Sequence, residues 1–117
     1  MKRTALKRKT PMRRMSPKRK AYLASPERQA GLDHMGRVAA LPCLVCGAWP
    51  SEVHHLYGPR DDMRTIPLCP QHHRREFGPG AYHYSRRKFN ETHGSDDDLL
   101  AKTMTRLHEA GIMEVKR

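Results

Sequence analysis

Residues 42–77 read PCLVCGAWPSEVHHLYGPRDDMRTIPLCPQHHRREF, and this stretch decides the fold. It holds all three cysteines of the 117-residue chain and four of its eight histidines, all between positions 43 and 73. An odd number of cysteines with Cys-x-x-Cys spacing is more typical of a metal site in a reducing compartment than of a disulfide framework. We therefore expect a metal-stabilised domain in the cytosol.

Two pairs of residues predict a structural zinc site. Cys43 and Cys46 have the spacing with which two thiolates bind one ion, and Gly47 relaxes the turn that follows. Cys69 and His72 are three residues apart, which places them on one face of a helix. These four residues form a Cys3His set, so we expect a closed, four-coordinate Zn²⁺ site that stabilises the small domain. The alternatives are three buried thiols without metal, or a redox role for the Cys-x-x-Cys pair.

The histidines outside this set indicate a second centre. His54 and His55 are neighbours on a predicted strand, so their side chains point to opposite faces, and one can bind metal while the other faces reactants. His73 lies about 100° further round its helix than His72 and projects away from the zinc. A second metal centre between strand and helix is therefore expected, and His83 is a further histidine outside the zinc set.

The segments around the motif predict a small α+β fold. Val, Ile and Thr in short runs favour strands, while Ser-Pro-Glu at 25–27 and Ser95 before three aspartates are typical helix starts. We expect strands at 52–56 and 65–68, helices at 26–40, 70–77, 85–93 and from 96 to before Gly111, and a connection at 78–84. The expected buried positions are Leu32, Met35, Val38 and Ala39 in the first helix and Leu99, Leu100, Met104 and Leu107 in the last.

The charge of the chain is concentrated at its start. Lys and Arg number 23 against 12 Asp and Glu, and residues 1–20 hold ten basic residues and no acidic one. Residues 1–24 also have few apolar side chains, and Pro11 and Pro17 are expected to interrupt any helix, so we predict a disordered basic arm followed by a folded domain at 25–117. Clustered cations suit a phosphate backbone, although a solubilising tail is the alternative. The expected DNA-binding residues are Lys7, Arg8, Lys9, Arg13, Arg14, Lys18, Arg19 and Lys20 in the arm and Arg64 and Arg74 in the domain.

Hydropathy argues against a membrane protein. No segment approaches the roughly 18 consecutive apolar residues that a bilayer requires. The basic start is not followed by an apolar stretch after Lys20, so a secretory signal is not expected, while an Arg-rich transit peptide stays compatible with the composition. We expect a cytoplasmic protein without a membrane partner.

The combined pattern resembles the HNH nuclease superfamily, also called the ββα-metal or His-Me finger fold. The residues that carry the resemblance are Leu-Pro-Cys-Leu-Val-Cys-Gly at 41–47, Val-His-His at 53–55 and Ile-Pro-Leu-Cys at 66–69, followed by His-His at 72–73. It covers about residues 37–94 and is closest to the phage recombination-enhancement nuclease (Ref) group with its zinc-bearing relatives, whose basic N-terminal region the arm also resembles.

The resemblance implies a zinc-stabilised ββα-metal core with flanking helices, and a role for each histidine. His54 and His73 would bind a catalytic divalent ion, Mg²⁺, Mn²⁺ or Zn²⁺, with His83 as the third ligand. His55 would be the general base that activates water. The implied activity is that of a DNA endonuclease or nickase in recombination or DNA metabolism, acting on double- or single-stranded DNA. The implied partner is a recombinase filament, and the implied location is the bacterial host cell.

The chain departs from the family pattern at one position. Arg64 stands where the family has the asparagine that names the motif and orients the base. The second function compatible with the same residues is a non-catalytic zinc-containing DNA-binding adaptor on an HNH scaffold, and the third is a small RNA- or ribosome-associated zinc protein. Each arginine outside the arm can equally be a solvated surface charge.

Overall fold

The computed structural model of the chain describes residues 14–111. They form five α-helices, one 3-10 helix and a two-stranded antiparallel sheet, which confirms the α+β class. No helix in this part of the chain is long and apolar enough to cross a bilayer. The elements are α1 (Pro17–Leu23), α2 (Pro26–Ala39), β1 (Glu52–His55), β2 (Thr65–Leu68), α3 (Pro70–His73), the 3-10 helix (Arg75–Phe77), α4 (Arg86–His93) and α5 (Asp96–Glu109).

The hairpin of β1 and β2 is the centre of the fold. Its register pairs His54 with Ile66, and the ladder continues beyond β1 through a hydrogen bond from Leu56 N to Arg64 O of 3.0 Å. Every residue of β2 is buried because α2 and α5 both pack against this strand, whereas β1 keeps His55 partly exposed. Both predicted strands are therefore confirmed, with β1 one residue shorter than expected.

Serine hydroxyls begin the three longer helices, as the sequence predicts. Ser25 accepts a hydrogen bond from Arg28 N, Ser85 from Lys88 N and Ser95 from Asp98 N. The Ser95 cap is a reciprocal capping box, since the Asp98 carboxylate accepts from the Ser95 N–H.

The buried face of α2 differs from the expected one at Leu32, which is 43% exposed. Val38 is buried as expected and Met35 and Ala39 are half-buried, while Gly31 and His34 are buried positions that the apolar spacing does not predict. Gly31 has no side chain, so Asp62 of the β1–β2 loop approaches the helix backbone there, and the helix packs with its glycine side against the hairpin. The spacing of apolar residues in the sequence does not predict this close approach.

The prediction that residues 1–24 are disordered is wrong for 17–23, which form α1. Ser16 accepts a hydrogen bond of 3.1 Å from Arg19 N, and Pro17 occupies the first helical position. Proline is favoured at that position because its missing N–H would be unpaired in any case, so Pro17 starts a helix instead of interrupting one. No residue of α1 is buried. Residues 1–13 of the expected arm lie outside the described residues.

The helix expected at 70–77 ends at His73. The carbonyls of His72 and His73 accept hydrogen bonds from Tyr82 N and His83 N, at 2.7 and 3.3 Å, instead of continuing the helical ladder. Arg74 is extended, and a 3-10 turn follows. These two hydrogen bonds hold the connection at 78–84, which includes His83, beside α3.

The core consists of two clusters of buried side chains. The larger one lies between the hairpin, α4 and α5 and includes two cysteines, and the smaller one joins α2 to α5. In α5 the expected Leu99 and Leu107 are buried, together with Thr103, and Leu100 and Met104 are half-buried. The larger cluster is Cys43, Leu56, Ile66, Leu68, Cys69, Tyr82, Phe89 and Leu99; the smaller is Val38, Leu41 and Leu107.

Candidate metal centres

The four residues of the predicted zinc site lie together. One donor atom from each of Cys43, Cys46, Cys69 and His72 falls within 4.8 Å of the other three. Cys46 Sγ and Cys69 Sγ are 3.6 Å apart, and His72 Nδ1 is 3.1 Å from Cys69 Sγ and 3.9 Å from Cys43 Sγ. A tetrahedral Zn²⁺ with bonds of about 2.3 Å separates two sulfurs by about 3.8 Å. This thiol cluster, as we name it, is therefore compatible with a structural zinc ion.

Two short backbone motifs present the thiol cluster. The turn after Cys43 closes with a hydrogen bond of 2.9 Å from Gly47 N to Cys43 O, and Gly47 adopts a φ of 74°, which favours glycine. Cys69 precedes α3 as its N-cap, and His72 lies within the helix, one turn on. Leu44 N donates to Pro67 O at 3.0 Å and joins the turn to β2.

The thiols of this cluster differ in acidity. Burial raises the pKa of the Cys69 thiol to about 11, and its neighbours Cys46 and Cys43 add to this. Burial also acts to raise the pKa of Cys43, but N–H groups of Cys69, Cys46 and Val45 outweigh it and lower the pKa. Zinc binds the thiolate form, so the buried Cys69 proton must leave when an ion binds.

Three other histidines form a second group. The ring centroids of His54, His73 and His83 are mutually 4.9 to 5.0 Å apart, and one nitrogen from each lies within 4.8 Å of the others. We name this group the histidine cluster. It unites β1, α3 and the connection at 78–84, as expected from the sequence. His83 is held there by its backbone N–H, which donates to His73 O.

The histidine cluster has a buried end and an exposed end. His54 is 2% exposed, its Nε2 is buried and has no hydrogen-bond partner among residues 14–111, and His83 is exposed. Burial, with His73 and His83 nearby, lowers the pKa of His54 to about 3, and burial beside His73 also lowers the pKa of His83. Both rings are uncharged at neutral pH and can act as metal ligands. A buried imidazole nitrogen without a partner fits an ion held by these three rings.

Glu52 supports the histidine cluster from the first residue of β1. Its Oε1 lies 3.0 Å from His73 Nδ1, and Arg74 donates to both of its carboxylate oxygens. The Arg74 hydrogen bonds, with that of His73, hold the pKa of Glu52 below its usual range, so the carboxylate accepts the Nδ1 proton. His73 is thereby left with Nε2 free for a metal, which is the usual carboxylate–histidine–metal arrangement.

His55 lies on the opposite side of β1 from His54, as expected, and contacts an acid that the sequence pattern does not identify. His55 Nε2 is 3.0 Å from Asp62 Oδ1. The hydrogen bond with His55, and the charges of Arg28 and Arg60, lower the pKa of Asp62. The side chain of His55 is 30% exposed, so its other ring nitrogen is within reach of solvent.

A second partly buried acid, Asp96, lies behind the histidine cluster. The Tyr82 ring packs 4.0 Å from the His54 ring, and its hydroxyl donates to Asp96 Oδ1 at 3.0 Å. Asn90 Nδ2 also donates to Asp96. Burial and the Asp96 charge raise the pKa of Tyr82 to about 12. The sequence indicates Asp96 only as a partner of the helix dipole; the structure adds this link between α5 and the cluster.

The expected DNA-binding residues fall into three groups. Arg14, Lys18, Arg19 and Lys20 are exposed at the start of the described chain. Arg64 and Arg74 instead pair with acids, Arg64 with Asp97 at 3.2 Å and Arg74 with Glu52. Lys7, Arg8, Lys9 and Arg13 lie outside the described residues.

Fold and clusters together define a small α+β protein with a Cys3His group fit for zinc and a three-histidine group beside it. The chain belongs to the family described as "Protein of unknown function (DUF968)", whose model matches residues 11–111. No curated protein and no solved structure matches it.

Proposed function

We propose that this protein is a metal-dependent endonuclease or nickase of the HNH type that hydrolyses DNA phosphodiester bonds. The observation that carries the proposal is the histidine cluster on β1, whose opposite face presents His55; within the described part of the chain the buried His54 Nε2 has no hydrogen-bond partner. The hairpin and α3 follow one another along the chain as strand, strand and helix, which is the order of a ββα-metal core.

His55 is the proposed general base. Hydrolysis forms a bond from a water oxygen to phosphorus and breaks the bond to a sugar oxygen, so the attacking water must lose a proton. A neutral imidazole accepts a proton near neutral pH. Since the Asp62 carboxylate accepts a hydrogen bond from His55 Nε2, Nδ1 is the nitrogen free for this task.

His54, His73 and His83 are the proposed ligands of the catalytic ion. A divalent ion held by these three residues would stabilise the charge that develops on the phosphate and on the leaving oxygen. Three imidazoles favour Zn²⁺ or another transition metal over Mg²⁺, which prefers oxygen ligands. Tyr82 packs against the His54 ring, and Glu52 holds His73, so the chain fixes two of the three rings before an ion binds.

The basic residues support a nucleic-acid substrate. The chain carries a net charge of +11, and Lys18, Arg19 and Lys20 of α1 are exposed. Such cations bind phosphates without reading sequence, so binding is expected to weaken steeply as salt is raised. The resemblance alone predicts the form of the substrate, double- or single-stranded DNA, and a recombinase filament that brings the enzyme to it.

A second candidate is a DNA-binding adaptor that keeps the zinc and the scaffold but does not cut. The observation that favours it is Arg64, which replaces the motif asparagine and pairs with Asp97 instead of supporting the base. The two proposals share the fold, the zinc and the basic arm, and they differ in whether His54, His55 and His73 bind a second ion and activate water.

Cleavage of supercoiled plasmid decides between them. Purified protein is incubated with plasmid and with single-stranded DNA in Zn²⁺, Mn²⁺, Mg²⁺ or EDTA, beside His55→Ala and the matched surface variant His108→Ala. We expect ion-dependent nicking that His108→Ala retains and that His55→Ala loses by about 100-fold or more. Binding without nicking in every ion would contradict the nuclease and support the adaptor; equal nicking by His55→Ala would contradict His55 as the base.

A further inference from the structure

We propose that Asp62 is a positioning residue, which fixes the ring proton of His55 on Nε2 and leaves Nδ1 as its proton acceptor. The inference that this serves catalysis rests on the proposed function. Asp62 belongs to the loop between β1 and β2.

The two carboxylate oxygens of Asp62 have different partners. Oδ1 lies 3.0 Å from His55 Nε2, with Arg60 Nε at 3.6 Å, and Oδ2 accepts a hydrogen bond of 2.8 Å from Arg28 Nη1 on α2. An ionised carboxylate only accepts, so His55 Nε2 must donate. The Asp62 side chain is 12% exposed.

The loop backbone is also held in place. Thr65 Oγ1 donates to Asp62 O at 3.1 Å, and Thr65 is fully buried at the start of β2. Carboxylate and carbonyl of Asp62 are therefore anchored from two different elements. Such anchoring is what a group needs if it is to orient a catalytic ring.

Gly31 provides the space that the carboxylate occupies. A Cβ on Gly31 would lie 2.7 Å from Asp62 Oδ2, closer than real Cβ atoms come to a neighbour, and 3.0 Å from Asp62 Cβ, which is tighter than most real contacts. Gly36 lies in the same helix, and a Cβ there would meet nothing within 4 Å. A glycine in a helix is unfavourable relative to alanine. The close approach of Asp62 is a structural reason for glycine at position 31. Gly31 and Gly36 therefore form a matched pair for a test.

Asp62→Asn changes the proton arrangement with little change in shape. The charge of Arg28 attracts the amide oxygen, so the amide NH₂ turns toward His55 and donates to Nε2. The ring proton then moves to Nδ1, the atom that must accept. Asp61→Asn is the matched control, since Asp61 is exposed and its side chain only accepts from Met63 N.

Two readouts test the inference. Nitrogen-15 NMR of the imidazole rings, with the His55 signals assigned by their loss in His55→Ala, reports which nitrogen carries the proton. We expect an Nε2-protonated ring in the wild type and in Asp61→Asn, and an Nδ1-protonated ring in Asp62→Asn. Plasmid nicking should lose roughly 100-fold or more in kcat with KM nearly unchanged.

Gly31→Ala and Gly36→Ala give an independent comparison if Asp62→Asn fails to fold. We expect Gly31→Ala to displace the carboxylate, to change the His55 ring signals and to slow nicking, while Gly36→Ala does neither. An unchanged His55 ring in Asp62→Asn, or in Gly31→Ala when Asp62→Asn does not fold, would overturn the inference. Wild-type protein that does not nick would refute the proposed nuclease, and the ring spectra would still decide the role of Asp62.

Discussion

His72 and His73 are neighbours in α3, yet they belong to clusters of opposite construction. The thiol cluster offers four donors, two of them in the core, which is the composition of a closed structural site. The histidine cluster offers three imidazole rings, with an exposed His83 at one end. A set of three ligands leaves room for a reactant on the ion, whereas four ligands do not. Two adjacent residues can therefore serve different purposes: His72 in a closed site that stabilises the fold, and His73 in a site that can accept a reactant.

Loss of the thiol cluster should have the largest effect. We expect Cys69→Ala to lose zinc and cooperative thermal unfolding, because zinc binding by small domains contributes about 10–16 kcal/mol, comparable with the whole stability of a domain. Metal analysis and circular dichroism check this. The control variant His108→Ala should unfold cooperatively within a few degrees of wild type. The same behaviour in Cys69→Ala would show that zinc does not stabilise the fold.

His83→Ala separates the two clusters. His83 is exposed, so its loss leaves little cavity and we expect the fold and one Zn²⁺ per chain to be retained. The second ion should be lost, because two imidazoles remain where three are needed. Metal counting after dialysis, with nicking in parallel, measures this. Retention of both ions by His83→Ala would break the distinction between the clusters.

Glu52→Gln should weaken only the histidine cluster. Without the carboxylate, His73 Nδ1 loses its charged acceptor and the ring is less well oriented, which typically costs about 10- to 100-fold in metal affinity. Competition with a chelating dye would measure affinity for the second ion. An equal loss of affinity at both sites would indicate general unfolding instead of a local effect.

The smallest expected difference between the clusters is the number of protons that each releases when it binds an ion. The pKa of Cys69 is about 11, so its thiol is protonated at pH 7 and must release a proton when zinc binds; affinity then rises by about tenfold per pH unit for each proton released. The pKa of His54 is about 3, so this ring binds an ion at pH 7 without releasing a proton. Calorimetry in two buffers of different ionisation enthalpy counts these protons. Equal release at both sites would contradict this difference.

The thiol cluster could be predicted from sequence because each of its two ligand pairs has a short, characteristic spacing, and a tetrahedral ion needs both pairs, although the pairs are 23 residues apart. The same holds for the serine-capped helices. The Ser16-Pro17 signal of α1 matches that of α2, and it predicts a helix once Pro17 is assigned to the first helical position instead of the interior.

The supporting acids were not predictable in this way. Asp62 is one of two aspartates in a turn, and its partner Arg28 is 34 residues away. Glu52 likewise meets His73 across 21 residues. The exposure of Leu32 depends on tertiary packing in the same way, since α2 turns its Gly31 side toward Asp62 and packs against both strands and α5. Long-range contacts of polar side chains leave no periodic signal.

A crystal structure of the protein grown with Zn²⁺ and soaked with Mn²⁺ tests the division of the two clusters most directly. Anomalous scattering at the two absorption edges identifies and places each ion. We predict one zinc ion among Cys43, Cys46, Cys69 and His72 that does not exchange, and an exchangeable ion bound by His54, His73 and His83. A thiol cluster that holds Mn²⁺, or a histidine cluster that holds no ion at saturating metal, would contradict the account.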